Sequence, residues 1–214
     1  MKIGIIGASG KAGRDIFAEA VRRGHETTAL VRDANRAAEV LGSDAAVLER
    51  DAFDLTQADL AGFDVVVNAF GTTPDQAFEH VDLARHLVET VDAQEPRLVF
   101  ILGAGSLRTG EDRHLFVEDI AESPGSEAWI AIPQAQLREL KYLRDIQGVN
   151  WVGISPGALF EPGPAAGVRL GKDELLADEA GNSRTSTGTM AIAVLDEIDR
   201  DPAHRNTRFC VVDG

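Results

Sequence analysis

The sequence predicts an α/β protein: a doubly wound, mostly parallel sheet with helices on both faces, formed as a single domain over residues 1–214. Three observations carry that prediction. Apolar runs such as Val65-Val66-Val67 and Leu98-Val99-Phe100-Ile101 have the continuous character of strands covered on both faces. Segments with helical spacing of apolar residues alternate with these runs, the order of strand–helix–strand units with right-handed crossovers. Between the first such run and the first such segment lies Gly7-Ala8-Ser9-Gly10-Lys11-Ala12-Gly13.

Along the chain, Lys2–Ile6 is expected as the first strand and residues 12–23 as the first helix, stopped by Gly24. Residues 25–31 follow as the second strand, 35–41 as a short helix and 45–49 as the third strand. Residues 63–69 form the fourth strand. The helix after it, from near Asp75 to Asp92, has Phe78, Val81, Leu83, Ala84, Leu87, Val88 and Val91 at its apolar positions. Residues 97–102 are the fifth strand, 107–124 a polar loop with a partial helix, 127–146 largely helix, and 149–154 the sixth strand. A helix over 187–200 and a strand at Thr207–Val212 end the chain. Residues 160–184 are the exception, rich in Gly and Pro and without clear periodicity. Ligands of doubly wound sheets sit beyond the carboxyl ends of the strands, so residues 156–186 are a small irregular substrate region and a candidate lid. A plain surface excursion would have the same composition.

Composition narrows the function classes. A chain of 214 residues is long enough for one domain with a full core and short for two. With 44% hydrophobic and 26% charged residues, it has the make-up of a soluble globular protein. No apolar run approaches the roughly eighteen residues of a membrane span, and Met1-Lys2-Ile3 leads straight into a strand, so no membrane contact and a cytoplasmic location are expected. The single Cys210 cannot close an internal disulfide and is expected as a buried, inert thiol. A net charge of −14 argues against direct nucleic-acid binding, which needs a basic face. An oligomeric state of monomer or homodimer is left open.

The glycine turn is the most informative motif. Gly7 allows the tight turn, Gly10 lets the backbone approach a pyrophosphate, and Gly13 lets the helix pack against the strand. Amides at the helix start, with the partial positive charge of aligned peptide dipoles, then hold phosphates. Gly7, Ser9, Gly10, Lys11, Ala12 and Gly13 are therefore candidate cofactor contacts, with Lys11 adding a cation. The end of the second strand selects the dinucleotide: an acid reads a free ribose, an arginine a 2′-phosphate. Here Leu30-Val31-Arg32-Asp33 ends it and Arg36 follows one helical turn later, so NADP(H) is expected ahead of NAD(H). Asp33 is the counter-argument, since it could accept from a ribose hydroxyl. After the third strand, Asp51 and Ala52 are placed for adenine. After the fourth and fifth, Asn68-Ala69-Phe70-Gly71 and Gly103-Ala104 supply small residues where a cofactor crosses the sheet. Each turn alone is ordinary; the signal is that all lie at carboxyl ends of central strands.

With Ser155-Pro156-Gly157-Ala158-Leu159-Phe160-Glu161-Pro162, these segments resemble an atypical short-chain dehydrogenase/reductase. The similar group is the small NAD(P)-binding proteins related to NmrA and to biliverdin-IXβ/flavin reductase. The likeness runs through essentially the whole chain, and Val31-Arg32-Asp33-Ala34-Asn35-Arg36 resembles the 2′-phosphate segment of the latter. It implies a Rossmann sheet of seven to eight strands, NADP(H) as cofactor, and Pro156, Gly157 and Ala158 beside the nicotinamide.

One departure bears on the chemistry. The Tyr-x-x-x-Lys dyad of short-chain dehydrogenases is missing: Trp129-Ile130-Ala131-Ile132-Pro133-Gln134-Ala135-Gln136 stands in its place, and the only tyrosine, Tyr142, has Ile146 four residues on. Hydride transfer to a flavin-, quinone- or tetrapyrrole-like acceptor survives that loss, because its proton can come from solvent. The expectation is an NADPH-dependent reductase of a small aromatic or quinone-like molecule; the alternative is a non-catalytic NADP(H) sensor of the NmrA type. Ser106 and His114 are the candidate catalytic side chains, the first as a hydrogen-bond donor, the second as a proton source near neutral pH. His25, His80 and His86 are assigned no chemistry. No His/Cys cluster has metal-ligand spacing, so no metal is expected, and a Gly-x-Ser-x-Gly elbow is absent.

Overall fold

A computed structural model describes residues 1–92 and 95–214. The chain runs through β1 (Lys2–Ile6), α1 (Gly13–Arg22), β2 (Glu26–Val31), α2 (Ala34–Leu41), β3 (Ala46–Glu49), α3 (Gln57–Leu60) and β4 (Val65–Asn68). It continues through α4 (Glu79–Thr90), β5 (Arg97–Ile101), β6 (Arg108–Thr109), β7 (His114–Leu115), α5 (Phe116–Glu122) and α6 (Ala131–Asp145). The last elements are β8 (Trp151–Ser155), β9 (Leu159–Glu161), β10 (Arg169–Gly171), β11 (Arg184–Ser186), α7 (Thr187–Ile198) and β12 (Thr207–Val212).

Eight strands form the central sheet in the order β10-β12-β8-β5-β4-β1-β2-β3, parallel except for the antiparallel β10–β12 pair. The order steps outward from β1 in both directions, so the crevice between the two halves opens above the carboxyl ends of β1 and β4. This is the α/β Rossmann architecture. The alternating side chains of the central strands build two cores. Ile3, Ile5, Val65, Val67, Val99, Ile101, Val152 and Ile154 point to one face and pack under Ile16 and Phe17 of α1 and Met190 and Val194 of α7. Ile6, Val66, Leu98, Phe100 and Trp151 point to the other, under Leu83 and Leu87 of α4 and Leu140 and Leu143 of α6. A strand buried on both faces is apolar at every position, which is why these runs show no polar alternation.

Three departures from the sequence expectation have physical causes. The segment read as a polar loop with a partial helix has its helix, α5, but also a hairpin of two-residue strands, β6–β7, too short for a period to show. The helix expected over 127–146 breaks at Trp129, whose backbone leaves the helical region at φ −142°, and α6 starts at Ala131. Residues 156–186 are held at several points rather than loose. β9 pairs with β11, β10 adds an edge strand to the sheet, Gly157 N donates to Thr185 Oγ1 at 2.8 Å, and Ala158 N donates to Ser183 Oγ at 3.0 Å. Among the described residues, no helix is long and apolar enough to cross a membrane.

Candidate nucleotide site

Two glycines set the turn after β1. Gly7 has φ +72°, and a Cβ there would stand 2.7 Å from Ala69 O of the neighbouring strand end. A Cβ on Gly13 would meet Gly7 O and lie 2.8 Å from Ala8 Cα, so α1 can seat this close to β1 only without a side chain. Gly10 N donates back to Gly7 O at 2.9 Å, closing the turn. The amides of Ser9, Lys11 and Ala12 then have no intrachain acceptor among the described residues, at the positive end of α1. That arrangement fits a bound phosphate.

A cavity of about 980 Å³ runs from this turn across the carboxyl ends of the strands, a size suited to a dinucleotide with a second small molecule. Of the residues expected to touch a cofactor, Gly7, Ser9, Gly10, Lys11, Ala12, Arg32, Arg36, Asp51, Ala52, Ala69, Phe70, Gly71, Gly103, Ala104, Pro156, Gly157 and Ala158 all line it. Gly13 and Asn68 do not: Gly13 is buried behind the turn, and Asn68 Oδ1 accepts from Phe70 N at 3.2 Å, fixing the loop after β4.

At one end of the cavity, Arg32 and Arg36 are exposed and carry no ion-pair partner among the described residues. Asp33, which could have read a ribose, caps α2 instead, its Oδ1 accepting from Arg36 N at 3.0 Å. Asp51 likewise uses Oδ1 on Phe53 N at 3.0 Å, leaving its second oxygen free. Phe53 and Phe70 meet edge to face at 6.1 Å and wall this part of the cavity. Lys11 reaches across from the turn. Its Nζ donates to Phe160 O at 2.9 Å and sits 4.6 Å over the Phe160 ring, and burial lowers its pKa.

The opposite end is apolar. Phe116, Ile120, Trp129, Ile132, Pro133 and Phe160 line it, and Trp129 is 46% exposed at its rim. Ile132 and Gln136 stand on the first turns of α6 and line the cavity, and the Gln136 amide lies directly against Gly103. Tyr142 is elsewhere on α6, under Arg85.

Neither residue expected to carry chemistry reaches the cavity. Ser106 is 5% exposed, with Oγ turned to Gly103 O at 3.4 Å. His114 is clamped between Asp112 and Asp119, 2.6 Å from each, and these carboxylates raise its pKa to about 9. It is therefore charged at neutral pH and poorly suited to proton exchange there. The residue the sequence reading passed over is His80, which lines the cavity at 3% exposure with its ring against Phe70 at 5.6 Å. Behind it Glu139 of α6, 1% exposed, brings Oε2 to 3.8 Å from His80 Nδ1. A signal existed: Glu139 falls between Ala135 and Leu143 on the core stripe of α6, and His80 precedes Leu83, Ala84 and Leu87 on that of α4.

Comparison with known proteins agrees with this geometry. The NAD(P)H-binding family model matches residues 7–198, and the chain belongs to that family. Its cofactor is accordingly a nicotinamide dinucleotide. The uncharacterized protein YwnB of Bacillus subtilis is 44% identical over 215 residues, covering 99% of this chain and 98% of YwnB. Among solved structures, a protein from Lactobacillus casei is 41% identical with a TM-score of 0.94, over 100% of both chains. SP1627 of Streptococcus pneumoniae, described as a candidate NADH-flavin reductase, is 32% identical with a TM-score of 0.88, again over 100% of both chains.

Proposed function

We propose that this protein is an NADPH-dependent reductase that passes hydride to a flat aromatic acceptor of the flavin, quinone or tetrapyrrole kind. The observation that carries the reading is one cavity with two unlike ends: unpaired Arg32 and Arg36 at one, an aromatic and aliphatic wall at the other. Two guanidiniums with no carboxylate partner among the described residues suit a 2′-phosphate, by bidentate charge-assisted bonds. The free amides of the glycine turn hold the pyrophosphate, Phe53, Phe70 and Asp51 flank the adenine, and Gly103-Ala104 and Pro156-Gly157-Ala158 flank the nicotinamide. When bound, the reduced nicotinamide supplies the hydride. The chain orients the acceptor ring against Trp129, Phe116 and Pro133 and keeps water away from it. SP1627, described as a candidate NADH-flavin reductase at 32% identity, supports the acceptor class.

A second reading has one observation in its favour. Ile132 and Gln136 can neither donate a proton as a tyrosine does nor grip a ribose as a lysine does, which suits a non-catalytic sensor of NADP(H). The deciding experiment is NADPH oxidation by the purified protein against a panel of flavins, quinones and aldehydes, with NADH in parallel. Turnover of a flavin or quinone with preference for NADPH is expected. Tight NADPH binding without any turnover would overturn the reductase in favour of the sensor.

A further inference from the structure

The buried ionisable groups of this protein divide into two kinds. Arg97 and Arg208 each leave one buried Nε without a partner among the described residues but are otherwise bonded, Arg97 to Glu197 and His204 O and Arg208 to Asp173 and Ser106 O, so both are structural pairs. His80 and Glu139 differ. His80 Nε2 and Glu139 Oε2 are shielded from solvent with no hydrogen-bond partner among the described residues, although the His80 ring lines the cavity. Two unsatisfied polar groups side by side in a core cost desolvation with no return in stability, the pattern expected where function retains them.

Protonation sharpens the contrast. Burial alone holds His80 down to about 4 and burial alone pushes Glu139 well above the carboxylate range. Burial thus favours the neutral form of both groups, an uncharged imidazole beside a protonated carboxyl. The carboxylate facing it from α6 is Glu139; on its own helix Glu79 is engaged with Thr72 Oγ1 at 3.1 Å, and Phe70 on the β4 loop is uncharged.

We propose that His80, recharged by Glu139, donates the proton that completes reduction of the acceptor. The inference rests on the reductase reading. One acceptor atom takes hydride from the reduced nicotinamide, with the electron pair of the broken C–H bond. A second acceptor atom takes the proton from His80 Nε2, which a turn of the ring brings from its shielded position to the cavity surface. As that N–H bond breaks, Nδ1 gains the Glu139 carboxyl proton, so the imidazole changes tautomer and stays neutral while Glu139 becomes a carboxylate. At the end of the cycle water in the cavity returns one proton to His80 Nε2 while Nδ1 gives its proton back to Glu139, which restores the starting tautomer and the carboxyl group. The 3.8 Å gap between Nδ1 and Oε2 closes to the ordinary hydrogen-bond distance of about 2.9 Å for that transfer. Glu139 touches neither reactant and is a positioning residue.

The test combines kinetics with a readout independent of turnover. With NADPH and menadione or FMN as acceptor, His80→Gln and Glu139→Gln are each expected to lower kcat by roughly tenfold or more, with NADPH affinity held within about twofold. In 15N spectra of histidine-labelled protein, His80 is expected to stay neutral in one tautomer from about pH 5 to about pH 8, and Glu139→Gln to shift its signals. Wild-type protein that turns over while both variants match it, or a His80 that titrates near 6.5 like a free imidazole, overturns the proton-donor assignment alone. Wild-type protein that binds NADPH and turns over no acceptor overturns the reductase reading, and this proposal with it.

Discussion

Arg32 is the residue whose role is most open to measurement. It directly follows β2, is exposed, and has no carboxylate partner among the described residues, whereas neighbouring Asp33 is committed to capping α2. A charge-assisted bond from Arg32 to a 2′-phosphate is worth about 1.5–3 kcal/mol. Arg32→Ala should weaken NADPH by roughly ten- to a hundredfold and leave NADH nearly unchanged, read by fluorescence titration of both cofactors. Equal weakening of the two would show that Arg32 serves the fold and not the phosphate. Glu139 gives a prediction in stability. Its folded pKa lies above that of the unfolded chain, so its favourable contribution is complete below about pH 4.5 and is lost as pH rises. His80 runs the other way: depressed to about 4 from 6.5, it contributes fully above 6.5 and loses this as pH falls. Glu139→Gln should therefore raise the melting temperature at pH 7 more than at pH 4, and no such difference would mean that Glu139 is ionised and compensated in the fold. Arg32 could be read from the sequence because its place at a strand end is fixed by local pattern. The His80–Glu139 pair could not, because it joins α4 to α6 across 59 residues and exists only through packing.

Among the elements, the sequence was clear where an apolar period lasted and silent where it did not. β1, β5 and α1 follow from continuous runs and helical spacing, and their bounds fall within a residue or two of the expectation. The hairpin β6–β7 and strands β9 to β11 have two or three residues each, and tertiary contacts alone make them regular. His114 shows how such a piece is held. Its imidazolium joins Asp112 in the hairpin to Asp119 in α5, and the pKa is raised to about 9 by those carboxylates. A raised pKa means the clamp contributes fully below about pH 6.5 and is lost as pH climbs through 9. Hydrogen exchange of the amides around 108–119 should accelerate above pH 9 beyond the base-catalysed rise seen in the rest of the chain, and His114→Gln should show that local opening already at pH 7. An unaltered local profile in the variant would assign the hairpin's order to its backbone pairing alone.

For the whole molecule, the fold and the strand-end lining of the cavity were legible for one reason: both depend on where strands end. Turns after β1, β2, β3, β4, β5 and β8 converge because a parallel sheet gathers its carboxyl ends on one edge, and the residues at those turns supply most of the cavity lining. The apolar end was not legible, because Phe116, Trp129 and Phe160 come from the start of a two-turn helix, a helix break and a three-residue strand. A ligand that fills a cavity of about 980 Å³ makes its contacts only with the folded chain, so cofactor binding should register in global stability. Ligand at about a hundred times its Kd adds about 2.7 kcal/mol, and for a chain of this size each kcal/mol moves Tm by about 2–4 °C. NADPH at that excess should raise Tm by roughly 5–10 °C. NADH at the same concentration should fall short by about 3–6 °C if it binds tenfold more weakly, since that factor is about 1.4 kcal/mol. In Arg32→Ala the two cofactors should give nearly the same shift if, as proposed, the difference between them resides in one phosphate and the guanidinium that would meet it. Equal shifts in the wild type would place the 2′-phosphate outside the protein and make the chain indifferent between the two dinucleotides.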